Sequence, residues 1–229
     1  MTLNAKEAPN GGKTIEPMEP GAYPARLLGV ASLGLQPQSF NGETKEPREE
    51  LALTHEFLDE YLKDEDGNDI EDKPRVLTES FALHNLAADR AKSTQRYRAI
   101  DPTDEKDGDW TKLIGTPEMI TVVVAAGKGK NKGKVYNNVA SVSAMRAKEA
   151  AKARDLVNEP VIFDFDAPDI KAWNKLPKFL QDKARKALNF GGSALEELLA
   201  NAPVEKKNEP KEAVEDADES EAEGDNKNW

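Results

Sequence analysis

Five strand-like segments, with one helical segment set between the third and the fourth, restrict what this chain can fold into more than any other property. Tyr23, Ala25, Leu27 and Val30 have strand spacing within residues 22–33, and Gly34 supplies a stop. Residues 34–49, with Pro37, Gly42 and Pro47, read as a long polar loop. Leu51, Leu53, His55 and Phe57 then alternate with Ala52, Thr54 and Glu56, the pattern of a strand with one buried face. An acidic turn follows over residues 63–74, and residues 75–83 supply the β-branched and aromatic side chains of a third strand. Asn85 is placed to cap a helix over residues 86–100, which Pro102 closes. Pro117 precedes a fourth strand over residues 118–126, and the loop of residues 127–134 leads into a fifth over 135–142.

Strand, strand, strand, helix, strand, strand is the element order of an OB-fold, a small Greek-key barrel. The expected class is therefore α+β: a five-stranded OB-fold-like barrel with an inter-strand helix and additional C-terminal helices. Ser143 is a candidate cap for a helix over residues 144–156, and residues 161–165 suggest a short strand. Asp166, Pro168 and Asp169 mark a helix start, Pro177 begins a further helix ending near Gly191, and Ser193 with Glu196 forms a capping box. Leu195, Leu198 and Leu199 give that last helix an apolar stripe. These helices are expected to pack on the barrel and cover part of it. Residues 21–201 form the expected domain, between a flexible arm of residues 1–20 and a disordered acidic tail of residues 202–229.

The tail expectation rests on charge. Residues 212–229 hold eight acidic side chains and one lysine and end on Trp229, so this segment carries −7 of the net −11. Like charges with few apolar groups cannot offset the entropy of ordering. Asp216, Asp218, Glu219, Glu221, Glu223, Asp225 and Trp229 would suit a basic groove with a small apolar pocket; a plain solubility tail is the alternative. Within the remainder, residues 36–75 count thirteen acids against five bases, whereas residues 76–154 count nine against fourteen. A central basic stretch thus sits inside an acidic protein, and local potential rather than net charge governs binding to a polyanion.

Catalytic patterns are nearly absent. With no cysteine, disulfides, thiolate metal sites and thiol catalysis are excluded, which fits a reducing compartment. The lysine loop fails the phosphate-loop pattern, because Lys128 stands where a glycine is needed and Val135 where a Ser or Thr is needed. Lys132 spoils the dinucleotide pattern in the same way. Setting Gly67 as an EF-hand glycine puts Leu62 and Lys73 at ligand positions, which favours a solvated turn. Asp164 and Asp166 would share a strand face but have no third ligand nearby, and His55 and His84 have no joint spacing. No cofactor is expected. No window approaches the roughly 20 apolar residues of a membrane span, so a cytoplasmic protein is the default.

Nucleic-acid binding is better supported, by two groups. Lys128, Lys130, Lys132 and Lys134, followed by Tyr136, occupy the loop between strands four and five, which flanks the oligonucleotide groove of an OB-fold. Arg90, Lys92, Arg96, Tyr97 and Arg98 lie on the inter-strand helix. Basic side chains beside aromatics are the means of holding single strands without sequence preference. Phe40, in the polar loop, is a further candidate for base stacking. The competing reading of a lysine-rich hairpin tip is a soluble sheet edge.

The blocks ARLLGVASLGLQPQ, HNLAADRAKSTQRYRAIDP, KLIGTPEMITVVV, VYNNVASVSAMRAKEA and FDFDAPD resemble a group of bacteriophage single-stranded DNA-binding proteins, over roughly residues 21–201. That resemblance implies a protein that coats and protects transient single strands in phage replication or recombination, within the infected host cytoplasm. It also implies recruitment of a polymerase, helicase, primase or recombinase through an acidic tail ending in an aromatic, the place taken here by Trp229. Most such tails end in phenylalanine, so tryptophan is a departure. Homo-oligomerisation is left open. The competing functions are an acidic inhibitor that imitates DNA charge, and a metal-dependent nuclease around Asp164 and Asp166.

Overall fold

A computed structural model describes residues 16–127 and 132–202. It is an α+β protein built on a mostly antiparallel, open sheet of six strands. The strands are β1 (Gly21–Phe40), β2 (Glu43–Lys63), β3 (Asp69–Ala82), β4 (Pro117–Ala126), β5 (Val135–Ala144) and β6 (Val161–Phe163). The helices are α1 (Lys92–Ile100), α2 (Ala147–Ala150), α3 (Ile170–Lys175), α4 (Lys178–Arg185) and α5 (Ala194–Asn201), with a 3-10 turn at Trp110–Leu113. The sheet order is β3-β2-β1-β4-β5, and β6 adds in parallel to β1.

β1 organises the sheet. Its first residues pair with β4 from Gly21↔Val122 to Arg26↔Pro117, and β6 then takes over that edge at Gly29–Ala31. Its other edge pairs with β2 from Ala25↔Phe57 to Phe40↔Glu43. Side chains alternate between two cores. Val30, Leu51, Leu53 and Phe57 face an inner core to which all five long strands, α1 and Leu113 contribute. Ala31, Leu33 and Ala52 face an outer core completed by Phe163, Phe165, Trp173, Leu180 and Leu195 of the C-terminal segment. A sheet whose five strands share one cluster must curl around it, and β3 and β5, the two ends of the path, do approach one another.

The outer layer is fastened by polar groups as well. Arg26 donates to the carbonyls of Gly115, Ala153 and Arg154. Arg154 donates in turn to the carbonyls of Phe57 and Leu58 and to Glu56. The buried Glu56 carboxylate also accepts from the backbone of Val157 and Asn158 and from the Asn158 amide. Burial pushes its pKa up, but Arg154 and these N–H groups outweigh burial and hold it below the usual range. The helices therefore do cover part of the sheet, along the outer face of β1 and β2.

Several boundaries differ from expectation. Gly34 does not stop β1, which continues to Phe40; with φ +72° it sits where the register with β2 slips, a bulge. A Cβ there would lie 2.8 Å from the Phe165 ring and 2.9 Å from Ala187, so the glycine lets the outer layer close on the strand. Residues 34–49 are accordingly not a loop but a two-stranded arm, turned at Asn41 (φ 51°) and Gly42 (φ 77°) as Asn-Gly hairpins are. α1 starts at Lys92 rather than beside Asn85, whose side chain instead accepts from Ala87 N–H and turns the preceding segment. Ser143 lies within β5, and the helix after it is limited to Ala147–Ala150. Asp169 and Ser193 cap α3 and α5 as the sequence indicates, with Glu196 reaching back to Gly192 N–H. Met18 is buried and exchanges two hydrogen bonds with the Asn137 side chain, so the chain is tied to the core just before β1.

Candidate nucleic-acid interface

The two basic groups singled out in the sequence occupy different environments. α1 lies over the gap between β3 and β5, and Arg96 points inward. Its guanidinium forks onto Glu79 of β3, Nε to Oε1 at 2.8 Å and Nη2 to Oε2 at 3.1 Å. Nη2 also donates to the carbonyls of Val139 and Ala140 on β5, each at 3.2 Å. Arg96 thus joins two strand edges between which no ladder runs, by charge-assisted hydrogen bonds to both.

Behind that bridge lies a buried chain of charge. His55 on β2 places Nδ1 2.6 Å from Glu118 on β4 and Nε2 3.6 Å from Glu79, and all three side chains are inside. The second contact is an ion-pair distance without a hydrogen bond. Burial pulls the imidazole pKa down, but the Glu118 carboxylate and then Glu79 outweigh it and raise it to about 9. Glu79, pushed up by burial, is brought well below the usual carboxylate range by His55 and Arg96. The sequence carried a signal for this arrangement: Glu79 alternates with Leu77 and Phe81, and Glu118 with Ile120 and Val122, so both acids occupy core-facing positions that require a cationic partner.

Arg96 and Tyr97 are therefore buried and engaged within the protein, whereas their expected role calls for exposed side chains. Tyr97 is 1% exposed; its hydroxyl accepts from Gly108 N–H and donates to Asp101, and its ring meets Trp110 edge-on at 5.1 Å. Lys92 is exposed but leans onto Glu79 at 2.9 Å and over the Phe81 ring. Arg98 pairs with Asp89 at the surface and donates to Leu86 C=O. Arg90, in the turn before α1, is exposed.

The β4–β5 hairpin is the second group. Lys132 and Lys134 are exposed there, with no carboxylate partner among the described residues, and Gly127 N–H closes the turn on Lys134 C=O at 2.9 Å. Lys128 and Lys130 lie outside the described residues. Tyr136 is 9% exposed, a packing group at the hairpin base. Phe40 is not in a loop but ends β1 at the tip of the arm, 58% exposed. The pairing of β1 puts Phe40 and the lysine hairpin at opposite ends of that strand, so the register does not bring them together.

The partner-binding candidates Asp216, Asp218, Glu219, Glu221, Glu223, Asp225 and Trp229 lie outside the described residues. Asp164 accepts from Asp166 N–H in a local turn, and the described residues contain no group of three or more His, Asp or Glu arranged to hold a metal. Among them no helix is long and apolar enough to cross a membrane. What sequence reasoning missed is a cleft of about 730 Å³ between the arm, the end of β3 and the 3-10 turn, bordered by His84, Asn85 and Trp110. Its residues come from three distant segments, so no local pattern signals it. No family model, curated protein or solved structure matches the chain.

Proposed function

We propose that the protein binds single-stranded DNA as a non-enzymatic OB-fold-like module and recruits replication or recombination proteins through its acidic C-terminal segment. The observation that carries this reading is the pair of exposed lysines of the β4–β5 hairpin, Lys132 and Lys134, which have no carboxylate partner among the described residues and are set on a curled sheet. The strand circuit supports it: β1 pairs with both β2 and β4, and the free edges of β3 and β5 meet under α1, as the connectivity of a five-stranded Greek-key barrel requires. Seen this way, Arg96 closes the barrel where a strand ladder does not. The covered outer face of β1 and β2 directs a bound strand towards the hairpin and the β3 side. The resemblance to phage single-stranded DNA-binding proteins adds the biological setting.

Anisotropy of labelled oligo-dT at low salt tests the reading on intact protein and on protein lacking residues 212–229. The intact protein binds, and removing the acidic segment tightens binding and flattens its salt dependence, because carboxylates no longer compete with phosphates. No affinity for oligo-dT at low salt overturns the proposal. The acidic turn between β2 and β3, where Asp64, Glu65, Asp66 and Asp69 are exposed, favours a second reading, an inhibitor that presents carboxylates as DNA presents phosphates. Capture of a DNA-binding enzyme by the body without its tail, with no DNA affinity, would favour that reading.

A further inference from the structure

The cleft beside β3 has the chemistry of a nucleobase site. Trp110 borders it, half-buried, with its indole braced by Tyr97 edge-on at 5.1 Å and by Phe81 at 6.1 Å. A ring held on that side by two others is a fixed platform, which lowers the ordering cost of stacking a flat ligand on it. Leu83 and Leu86 add apolar walls.

The adjoining polar groups are held as well. His84 Nδ1 lies 3.0 Å from Ala82 C=O, and a carbonyl only accepts, so Nδ1 carries a proton and, in the tautomer this fixes, Nε2 is an acceptor. The His84 backbone N–H is fixed by Ser93 Oγ at 3.0 Å. Asn85 Oδ1 accepts from Ala87 N–H at 2.9 Å, which sets the amide orientation. Its Nδ2 donor has no partner among the described residues. One acceptor and one donor on consecutive residues, next to a braced indole, match a heterocycle with a π face and a hydrogen-bonding edge.

Charge narrows the ligand. Arg48 on the lining is offset by Glu49 and Asp107, so the cleft does not favour a free anion over a neutral ring. The cleft, of about 730 Å³, is open to solvent and has room for a flat ring to enter from the side. We propose that this cleft receives a nucleobase, splayed from a single strand that the protein holds elsewhere by its phosphates, with the base stacked on Trp110 and its edge bonded to His84 and Asn85. This rests on the reading of the protein as a single-stranded DNA-binding module.

The test uses full-length Trp229→Phe protein, in which Trp110 and the buried Trp173 are the remaining indoles. Oligo-dT is expected to quench the emission, an abasic oligomer of equal length and free thymidine monophosphate at the same nucleotide concentration to leave it unchanged, and Trp110→Phe to abolish the quenching. Asn85→Ser keeps an oxygen acceptor for the turn and removes the amide donor without adding charge; it and His84→Ala should each weaken oligo-dT binding roughly three- to tenfold by anisotropy, at unchanged melting temperature. Labelled oligo-dT that binds without changing Trp110 emission, and equally well to both variants, overturns the cleft assignment and leaves the DNA reading standing. Saturation by the free nucleotide alone overturns the claim that the base belongs to a held strand. Absence of oligo-dT binding overturns the DNA reading and this site together.

Discussion

α1 and the β4–β5 hairpin carry similar numbers of basic residues in the sequence, yet the fold uses them oppositely. On α1, Arg96 and Lys92 converge on Glu79 and Arg98 pairs with Asp89, so three of its cations are engaged within the protein. On the hairpin, Lys132 and Lys134 face solvent with no carboxylate partner among the described residues. For Arg96 and Lys92 the difference lies in the neighbouring strand and not in the basic segment itself. Glu79 is an acid at a core-facing position that draws Arg96 inward and holds Lys92; no such acid lies beside Lys132 or Lys134 among the described residues. Basic residues become a phosphate-binding surface only where the fold leaves them unpartnered.

Removing the inner bridge should produce the largest effect. Arg96→Ala removes the fork that neutralises the buried Glu79 and two bonds to β5 carbonyls, leaving Lys92 and His55 beside the acid, a loss of about 3–5 kcal/mol read from urea denaturation. Its effect on DNA binding should follow from lost folding alone. A variant as stable as the parent but unable to bind oligo-dT would place α1 in the interface and erase the contrast.

Raising the pH tests the same inner chain with less disruption. The carboxylates of Glu118 and Glu79 hold the His55 pKa up at about 9 in the folded protein against 6.5 for a free imidazole, so its charge contributes stability fully below about 6.5. That contribution is lost as pH rises through about 9. Glu79, held low, acts in the opposite sense: its contribution is present above the usual carboxylate range and is lost on strong acidification. The urea midpoint should therefore fall between pH 7 and pH 10; a flat profile would show that His55 is not charged between its two acids.

The succession of strands was legible because alternation in β2 and the β-branched and aromatic content of β3 are local properties. The caps at Asp169 and Ser193 were legible for the same reason, since each is decided within four residues. Gly34 misled because a glycine with positive φ serves a bulge as well as a stop, and what decides is the approach of Phe165 and Ala187 from far along the chain. The arm was lost with it, although Asn41-Gly42 was itself a hairpin signal. Arg96 and Tyr97 read as surface groups because their partners, Glu79 and Gly108, lie outside the helix. The cleft depends on three segments meeting, which periodicity does not report.

The central claim is that the hairpin lysines, and not α1, meet the phosphates of a single strand. A salt series of oligo-dT titrations on the parent and on Lys132→Ala/Lys134→Ala protein tests it most directly. The account predicts unchanged stability, weaker binding at low salt and a log–log salt slope reduced by about 0.7 for each lysine removed. An unchanged affinity and slope in the double variant would contradict it.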